Sequence, residues 1–193
     1  AVRSVSDHLG NTASAFTDGG GRPQVSTDAT GRRSSATFDA LNRLSAVRDG
    51  AGAETTFAYD ANGNLTSLTD ARGGATSYTY DPMDRPVARE DPLGKTETFG
   101  YDANGNLASA TDRTGALTRF AYDRHDRRTF AGFAETAGSP PAYESTIAYA
   151  YDAGGRLVEA GDSEAGAIAL SWDGLDRLAS EQTPEGTISY AYD

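Results

Sequence analysis

Two segments carry the spacing of oxygen ligands that begins a calcium-binding loop. They are Asp60-x-Asn62-x-Asn64 and Asp102-x-Asn104-x-Asn106. In an EF-hand loop the sixth position is glycine and the twelfth is a bidentate glutamate. The first segment has Leu65 and Ala71 at those positions, and the second has Leu107 and Arg113. We therefore interpret both segments as turns, and we expect no bound metal and no cofactor.

Few residues offer acid–base or nucleophilic chemistry. The sequence has two histidines, His8 and His125, which lie over a hundred residues apart in turn-like segments. No serine with a companion acid forms an evident triad with either of them. Carboxylates recur periodically, whereas a glycosidase needs one distinct pair. Pairs such as Asp39 and Arg43 fit turn-stabilising ion pairs better than sites, so we predict that the protein is not an enzyme.

The composition excludes several partner classes. The net charge is −11 and the pI is about 4.5. This speaks against nucleic acid or an anionic membrane as partner, because both select basic surfaces. There are 16 arginines and one lysine, Lys95, scattered among the acids, and there is no cysteine. No apolar run approaches the length needed to span a bilayer.

A residue pair, mostly Tyr-Asp, recurs every 21 residues and gives the sequence its organisation. Its first residue, usually aromatic, is at Phe38, Tyr59, Tyr80, Tyr101, Tyr122, Tyr151 and Trp172. The aspartates that follow are Asp39, Asp60, Asp81, Asp102, Asp123, Asp152 and Asp173. A second motif, Asp-x-x-Gly, lies between them and supplies Gly52, Gly73, Gly94 and Gly115. A period of this size indicates stacked supersecondary units. We expect these residues to be structural repeat positions, with no catalytic or binding role.

Each 21-residue copy contains two turn signals and two short segments rich in β-formers. Asn62-Gly63 favours a primed hairpin turn. Asp70 and Gly73 suit the first and fourth corners of a type I turn. The segments between turns are too short for helices. The sequence therefore predicts an all-β fold, in which tandem β-hairpin repeats form a long curved or spiralling antiparallel sheet with strands of four to seven residues.

Strand alternation places the aromatic residues of each copy on one face. Tyr78 shares a face with Tyr80, as the equivalent residues do in neighbouring copies. We expect these rings to stack copy upon copy in a continuous stripe, and we assign Trp172 to the same stripe. Leu65 and Leu68 fall on opposite faces of a regular strand. Either a bulge brings them together or both faces of the sheet are partly covered.

The period predicts one array over residues 1–193, with about nine full or partial copies. It is interrupted once, between Tyr122 and Tyr151, by an insertion near residues 133–142 that contains Pro140 and Pro141. We interpret the insertion as an extension of a hairpin tip, with a partner-binding loop as the alternative. Since the chain begins and ends within a repeat, we expect it to be a fragment of a longer shell. Unpaired edge strands also predict self-association.

The repeat resembles the YD repeat of the Rhs family, whose pattern is Tyr-Asp-x-x-Gly-Arg-Leu followed by threonines, Asp-x-x-Gly and a further Tyr-x-Tyr-Asp. The resemblance covers essentially the whole chain and is specific because so many copies are in phase. The copy at Thr17-Asp18 is the most degenerate full one. The best matches are Tyr151-Asp152-Ala153-Gly154-Gly155-Arg156-Leu157, Tyr101-Asp102-Ala103-Asn104-Gly105-Asn106-Leu107 and Trp172-Asp173-Gly174-Leu175-Asp176-Arg177-Leu178.

The resemblance implies a function without catalysis by the repeats. In bacterial polymorphic toxins, the C components of insecticidal toxin complexes and the animal teneurins, YD repeats form a sheet that spirals into a hollow shell. Bacterial members enclose a C-terminal toxin domain. Asp91-Pro92-Leu93-Gly94 is superficially similar to the region where such toxins are released by self-cleavage, but it is in phase with the ordinary turns.

These features imply a scaffold that encapsulates a toxin or effector domain for delivery. The implied partners are flanking YD repeats and the enclosed domain, with no nucleic acid and no membrane span. The implied location is extracellular or on the surface of a bacterial cell, after export. The alternative is an extracellular interaction surface, adhesin-like or carbohydrate-binding, that would use exposed repeat aromatics. Burial of those aromatics in the sheet favours the scaffold, and exposure in a groove favours glycan binding.

Overall fold

The computed structural model describes residues 2–136, 138 and 140–193. The chain divides into two compact units, Ala1–Thr96 and Glu97–Asp193. The described residues contain 18 β-strands of four to seven residues and no helix. The all-β prediction is therefore confirmed. The described residues also contain no helix that is long and apolar enough to cross a membrane.

Both units are built from strands that follow one another in chain order. The strands of the first unit are β1 (Val2–Ser6), β2 (Thr12–Thr17), β3 (Pro23–Thr27), β4 (Arg33–Phe38), β5 (Leu44–Arg48), β6 (Glu54–Tyr59), β7 (Leu65–Thr69), β8 (Ala75–Tyr80) and β9 (Pro86–Glu90). Those of the second are β10 (Thr96–Tyr101), β11 (Leu107–Thr111), β12 (Leu117–Tyr122), β13 (Arg128–Phe133), β14 (Ser145–Tyr151), β15 (Leu157–Asp162), β16 (Gly166–Trp172), β17 (Leu178–Thr183) and β18 (Gly186–Ser189). Within each unit every strand pairs antiparallel with the next. Each unit is thus a β-meander.

Two kinds of turn recur along the meanders, and they alternate from Asp7 to Asp123. We call the turns that follow the aromatic residue YD turns; they begin at Asp18, Asp39, Asp60, Asp81, Asp102, Asp123, Asp152 and Asp173. We call the turns of the Asp-x-x-Gly motif DG turns; they begin at Asp7, Asp28, Asp49, Asp70, Asp91 and Asp112. The two kinds share one geometry. The N–H of the fourth residue donates to the carbonyl of the aspartate, and the aspartate N–H donates to the carbonyl of the fifth residue.

The primed turn predicted at Asn62-Gly63 is wrong. A primed turn of that type needs positive φ at both central residues. Here Gly63 has φ 99°, while neither Ala61 nor Asn62 is among the residues at positive φ. The bond from Gly63 N–H to Asp60 C=O, at 3.2 Å, closes a turn whose left-handed residue comes fourth. This is the three-residue hairpin loop in which a type I turn is followed by one left-handed residue.

A β-bulge at the YD turn resolves the placement of the leucines. Tyr59 pairs with Leu65 and Phe57 pairs with Leu68, with a register shift between the two pairs. Since directly paired residues share a face, Leu65 and Leu68 both lie on the face of Phe57 and Tyr59. We call this the aromatic face. The same register shift occurs at Phe38 and Leu44, and at the corresponding pairs of later copies.

The meander buries little side-chain surface completely. Among the described residues, Ala131 is the one fully buried hydrophobic residue, at 1% exposure, and Thr76 and Asp91 are buried polar residues at 8% and 9%. The aromatic and leucine side chains on the aromatic face of the interior copies are half-buried. Within each unit, tertiary contacts between described elements join strands that are adjacent in sequence. Stability therefore depends on contacts between neighbouring copies, as expected for a repeat array.

The insertion lies between β13 and β14. Of its residues, Ala137 and Ser139 lie outside the described part of the chain. Glu135 N–H donates to Leu117 C=O at 2.8 Å, and Thr136 forms a bridge with Ala142. The Tyr143 ring packs edge-on against Phe130 with the ring centroids 5.3 Å apart. The described part of the insertion thus prolongs the β13–β14 hairpin, and its Tyr143 returns to the sheet.

Candidate functional site

The aspartate of each YD turn uses both carboxylate oxygens to hold the turn. In the turn at Asp81, Oδ1 accepts hydrogen bonds from the N–H groups of Met83, at 2.8 Å, and Arg85, at 3.0 Å. Oδ2 accepts a bond from Arg85 Nε at 2.7 Å. An Asp–Arg pair of the same spacing occurs in the turns that begin at Asp18, Asp39, Asp123, Asp152 and Asp173. The turns at Asp60 and Asp102 have asparagine in place of the arginine.

These hydrogen bonds lower the pKa of the turn aspartates. The bond from the Arg127 side chain, with bonds from the N–H groups of His125 and Arg127, lowers the pKa of Asp123 to about 2. The Arg85 side chain lowers the pKa of Asp81 in the same way. All these bonds favour the charged form of the carboxyl group. The turn aspartates are therefore ionised acceptors whose oxygens are already engaged.

The fourth residue of successive YD turns alternates between two types. Its φ is positive in every copy, and glycine at Gly21, Gly63, Gly105 and Gly155 alternates with Asn42, Asp84, Asp126 and Asp176. Each asparagine or aspartate accepts hydrogen bonds from the preceding copy. Asp84 Oδ1 accepts from the side-chain amides of Asn62, at 2.8 Å, and Asn64, at 2.6 Å. The same contact joins Asn104 and Asn106 to Asp126, Arg22 to Asn42, and Arg156 to Asp176.

Contacts from an acceptor copy to the copy after it are of a different kind. Arg43 Nη1 donates to the main-chain carbonyl of Asp60 at 2.8 Å. Further along, Arg127 lies against Gly155 so closely that a side chain there would meet its guanidinium at 3.2 Å. Two copies, 42 residues, therefore make one complete period of the contacts between YD turns. The insertion does not disturb this alternation, since it lies at the opposite end of the strands.

Replacement of Asp84 by alanine should reduce the free energy of unfolding by about 1–2 kcal/mol. Asp84 has φ 61°, a conformation that aspartate and asparagine adopt more readily than alanine. The alanine variant also loses the acceptor for Asn62 and Asn64. Asp84→Asn keeps an oxygen acceptor and the tolerance of positive φ, so it should stay close to the parent. Urea denaturation measures both variants, and an alanine variant as stable as the parent would contradict the role of this contact.

The polar tips of the aromatic residues bond to main-chain carbonyls at the bulges. Tyr80 Oη donates to Leu65 C=O at 2.9 Å, and Tyr122 Oη donates to Leu107 C=O at 2.9 Å. Trp172 Nε1 makes the same contact with Leu157 C=O at 2.8 Å. The paired part of β7 and β8 begins only at Ser67, beyond this carbonyl. The aromatic hydroxyl or indole N–H thus serves a carbonyl that the strand ladder does not reach.

Several of the aromatic rings are stacked with arginines, which differs from the ring-on-ring stripe that the sequence predicts. The Arg43 guanidinium lies over the Tyr59 ring, 4.7 Å from its centroid. The same pairing of a YD-turn arginine with the aromatic residue of the next copy occurs for Arg22 with Phe38, Arg127 with Tyr151, Arg156 with Trp172 and Arg177 with Tyr192. Cation–π contacts therefore link one copy to the next.

The DG turns are uniform at the glycine. Gly52, Gly73, Gly94 and Gly115 have φ between 75° and 90°, where a side chain would be strained. Asp91 and Gly94 make the ordinary turn hydrogen bonds of this class. Asp91-Pro92-Leu93-Gly94 is therefore a regular DG turn.

The aspartates, asparagines and histidines considered for chemistry in the sequence lie in turns. Asp60 Oδ1 and Oδ2 accept hydrogen bonds from the main-chain and side-chain nitrogens of Asn64. His125 is exposed at a turn tip, where its main-chain N–H donates to Asp123 Oδ1. His8 is exposed in a DG turn. Over residues 2–136, 138 and 140–193, no group of three or more histidine, cysteine or acidic side chains is placed to hold a metal ion.

Sequence reasoning missed two features of this site. The first is the alternation at the fourth turn position, although its signal is visible as glycine and aspartate or asparagine repeating every 42 residues. The second is the bond from the aromatic tip to the bulge carbonyl. Its signal is the persistence of a polar tip at Tyr80, Tyr101, Tyr122, Tyr151 and Trp172, whereas the aromatic two residues earlier is often phenylalanine.

Comparison with known families assigns these copies. The RHS Repeat family model matches residues 38–75, 59–96 and 101–129. The chain carries RHS repeats over these residues. The matched segments contain the YD and DG turns described above, so the RHS repeat corresponds here to a hairpin bounded by these two turns. No curated protein sequence shows a significant match to the chain.

Solved structures share the fold of this RHS-repeat chain at low sequence identity. The crystal structure of TcdB2-TccC3-Cdc42 superposes with a TM-score of 0.69 and 19% identity over 86% of this chain. The Tc holotoxin pore of Photorhabdus luminescens, with a mutated TccC3, gives a TM-score of 0.63 and 16% identity over 89%. The crystal structure of TcdB2-TccC3 gives 0.55 and 13% over 98%. The RHS-repeat chain spans 10–13% of the length of these matched chains.

Proposed function

We propose that this RHS-repeat chain is a segment of the wall of a hollow shell that encloses a toxin or effector domain for delivery. On this proposal the array of residues 1–193 is a part of a longer shell. Its partners are flanking repeats of the same protein and the enclosed domain, and it acts outside a bacterial cell after export. The proposal extends a structural role that the RHS-repeat fold supports.

The observation that carries the proposal is the combination of repeat, fold and neighbours. An in-phase RHS repeat folds as a meander that superposes on toxin-complex chains with a TM-score of up to 0.69. Those chains are much longer than this one. Because each strand contacts its sequence neighbours, more copies extend the same wall without a new core.

The site residues fit a role in holding the wall. The YD-turn aspartates and the residues that precede them, mostly aromatic, make contacts within the turns, at the bulges and between neighbouring copies. The DG-turn glycines supply the positive-φ backbone conformation that these turns need. We therefore propose that these positions are structural and that the repeats themselves catalyse no reaction.

The contacts of the aromatic residues favour the wall over a carbohydrate-binding surface. Tyr80 and Tyr122 are half-buried, and their hydroxyl groups are bonded to main-chain carbonyls. The rings of Tyr59 and Tyr151 have an arginine over one face. A ring that stacks on a sugar needs a free face and a free polar tip, so these rings are poorly suited to glycan recognition.

The test is electron cryomicroscopy of the natural polypeptide that contains this sequence. We expect a closed β-wall around a cavity, with density for a further domain inside it. Limited proteolysis should cleave that domain only after the wall is opened by denaturant. An open sheet, or a cavity that is empty while the remaining domains are cleaved as readily as in the denatured protein, would contradict encapsulation.

The isolated chain of residues 1–193 should self-associate. All described residues of β1 and β18 are exposed, and within their units these two strands each have one paired side. Unpaired strand edges pair with other chains unless they are covered. Sedimentation velocity over a concentration series should show species larger than the monomer. A monomer that persists at high protein concentration would contradict this prediction.

A further inference from the structure

Two YD turns share one sequence that is prone to a chemical change. Residues 59–65 and residues 101–107 are both Tyr-Asp-Ala-Asn-Gly-Asn-Leu, so Asn62 and Asn104 are each followed by glycine. Asparagine is thermally labile. It is most labile before glycine, because a residue without a side chain leaves its main-chain nitrogen open to the preceding carboxamide. The remaining asparagines precede threonine, arginine or leucine; they are Asn11, Asn42, Asn64 and Asn106.

Deamidation at such a pair uses the chain's own atoms and water. Hydroxide removes the main-chain proton of Gly63, and the Gly63 nitrogen attacks Cγ of Asn62. The new C–N bond closes a succinimide ring, the Cγ–Nδ2 bond breaks, and the nitrogen leaves as ammonia with a proton from water. Water then adds to one of the ring carbonyls and opens the ring. The product is aspartate, or isoaspartate, in which the main chain runs through the side-chain carboxyl group.

The folded turn holds both reacting groups. Gly63 N–H donates to Asp60 C=O at 3.2 Å, so the proton that must be removed is engaged. The carboxamide is fixed from outside its own turn, because Asn62 Nδ2 donates to Asp84 Oδ1 of the next copy at 2.8 Å. Asn62 and Gly63 are both exposed, so hydroxide and water have access to the pair. The restraint on the reaction therefore comes from these hydrogen bonds.

The second turn repeats this arrangement in the other unit. Gly105 N–H donates to Asp102 C=O at 3.1 Å, and Asn104 Nδ2 donates to Asp126 Oδ1 at 2.9 Å. Because the two turns have the same sequence, their rates of deamidation in the unfolded chain should be equal. A change of one rate relative to the other in a folded variant therefore reports on the contact with the next copy.

Deamidation converts a donor into an acceptor at the contact between copies. The Asn62 carboxamide donates through its NH2 group, whereas the carboxylate that replaces it has no donor. That carboxylate would face the carboxylate of Asp84, and two like charges repel. Asn64 Nδ2 also donates to Asp84 Oδ1, at 2.6 Å, and this bond does not involve the reacting group. The reaction therefore weakens the contact without abolishing it.

We propose that Asn62 and Asn104 are sites of spontaneous deamidation, that Asp84 and Asp126 of the following copies restrain the reaction, and that the completed reaction weakens the contact that restrained it. Each unit thus has one modification site that responds to local opening between neighbouring copies. A copy that has opened deamidates, and the product disfavours closing. This holds whether or not the repeats form a shell, because each site lies within a single unit.

The test measures deamidation at each asparagine by mass spectrometry of peptides from the 1–193 chain kept at mildly alkaline pH. Asp84→Gly removes the acceptor without strain, because glycine occupies the same positive-φ turn position at Gly63. We expect Asn62 to deamidate at least fivefold faster in this variant than in the parent, while Asn104 keeps its parental rate. Equal acceleration at both sites would show a general destabilisation and would overturn the proposal, as would an unchanged rate at Asn62.

Two controls complete the measurement. Asp126→Gly is the reciprocal variant and should accelerate Asn104 alone. The chain unfolded in urea gives the rate without restraint, and there Asn62 and Asn104 should react equally and faster than in the folded parent. Asn64, which precedes leucine, provides a slow internal reference. A folded parent that deamidates as fast as the unfolded chain would show that the turn contacts restrain nothing.

The effect of the product is tested separately. Asn62→Asp reproduces the aspartate product and should unfold at a lower urea concentration than the parent. Asn62→Asp combined with Asp84→Asn exchanges donor and acceptor, since asparagine adopts positive φ at the equivalent Asn42 and its amide can donate to the new carboxylate. The double variant should recover most of the lost stability. An Asn62→Asp variant as stable as the parent, or a double variant no more stable than Asn62→Asp, would refute the weakening of the contact.

Discussion

Replacement of Tyr80 by alanine should reduce the free energy of unfolding by about 2–3 kcal/mol. Tyr80 is half-buried on the aromatic face, and its Oη donates to Leu65 C=O. The variant loses apolar contact and leaves the Leu65 carbonyl without this hydrogen-bond donor, and both effects contribute to the loss of stability. Full burial of an aromatic residue would predict a larger loss, of about 3–5 kcal/mol. Burial also raises the pKa of Tyr80, consistent with a hydroxyl group that remains protonated as a donor.

Two further variants separate the contributions in that experiment. Tyr80→Phe keeps the ring and removes the donor, so it should lose about 1 kcal/mol. His125→Ala changes an exposed turn tip, and its free energy of unfolding should equal that of the parent. Urea denaturation monitored by circular dichroism measures all three. If Tyr80→Phe is as destabilising as Tyr80→Ala, the hydroxyl contact dominates. If Tyr80→Ala unfolds at the same urea concentration as the parent, the aromatic face does not hold the repeats together.

Stability should fall steeply in acid, because the pKa of many turn aspartates is lowered by folding. The set comprises Asp7, Asp18, Asp28, Asp39, Asp49, Asp60, Asp70, Asp81, Asp102, Asp112, Asp123, Asp152, Asp162 and Asp173. Their ordinary pKa in an unfolded chain is about 3.9. A lowered folded-state pKa gives stability that is present above that value and is lost as the pH falls through the folded-state pKa. For Asp123 the folded-state pKa, and therefore the lower end of this pH range, is about 2.

The melting temperature should therefore be nearly constant from pH 7 to about pH 5 and should decrease continuously from about pH 4 to about pH 2. Added salt at pH 7 is the control, since it screens exposed ion pairs while leaving main-chain caps intact. We expect salt to shift the melting temperature much less than acid does. A melting temperature at pH 2.5 equal to that at pH 6 would show that the turn carboxylates do not stabilise the fold.

The repeat and the strand class were predictable because they depend on local chemistry. Aspartate and glycine at fixed spacing select a turn, and the segments between turns leave room only for short strands. The turn type at Asn62-Gly63 was not predictable in the same way. Asn-Gly alone favours a primed turn with positive φ at both residues, but here Asp60 Oδ1 caps the loop by accepting from Asn64 N–H, and Gly63 is left-handed while Asn62 is not. A side chain outside the dipeptide decided the geometry.

The candidate site was predictable only in its residue types. The period identifies Tyr80 and Asp81 as repeat positions, and it does not say what they contact. The contact of Tyr80 with Leu65 depends on a bulge, which appears only when two strands are paired. The arginine over rings such as Tyr59 and Tyr151 depends on the distance between successive turns. Such contacts between copies arise from register and spacing, which strand propensity does not encode.

The alternation of the YD turns sets the step in which such a chain can change its length. Copies with glycine at the fourth position supply donors, and copies with asparagine or aspartate supply acceptors. Deletion of one acceptor copy would bring two donor copies side by side, with an amide or guanidinium group facing a glycine, and deletion of one donor copy would bring two acceptor copies together. Deletion or duplication of two copies leaves every donor opposite an acceptor. A gene for this array can therefore grow or shrink by unequal recombination without loss of contacts only in multiples of 126 base pairs, which is three times the 42 residues that separate Asn42 from Asp84.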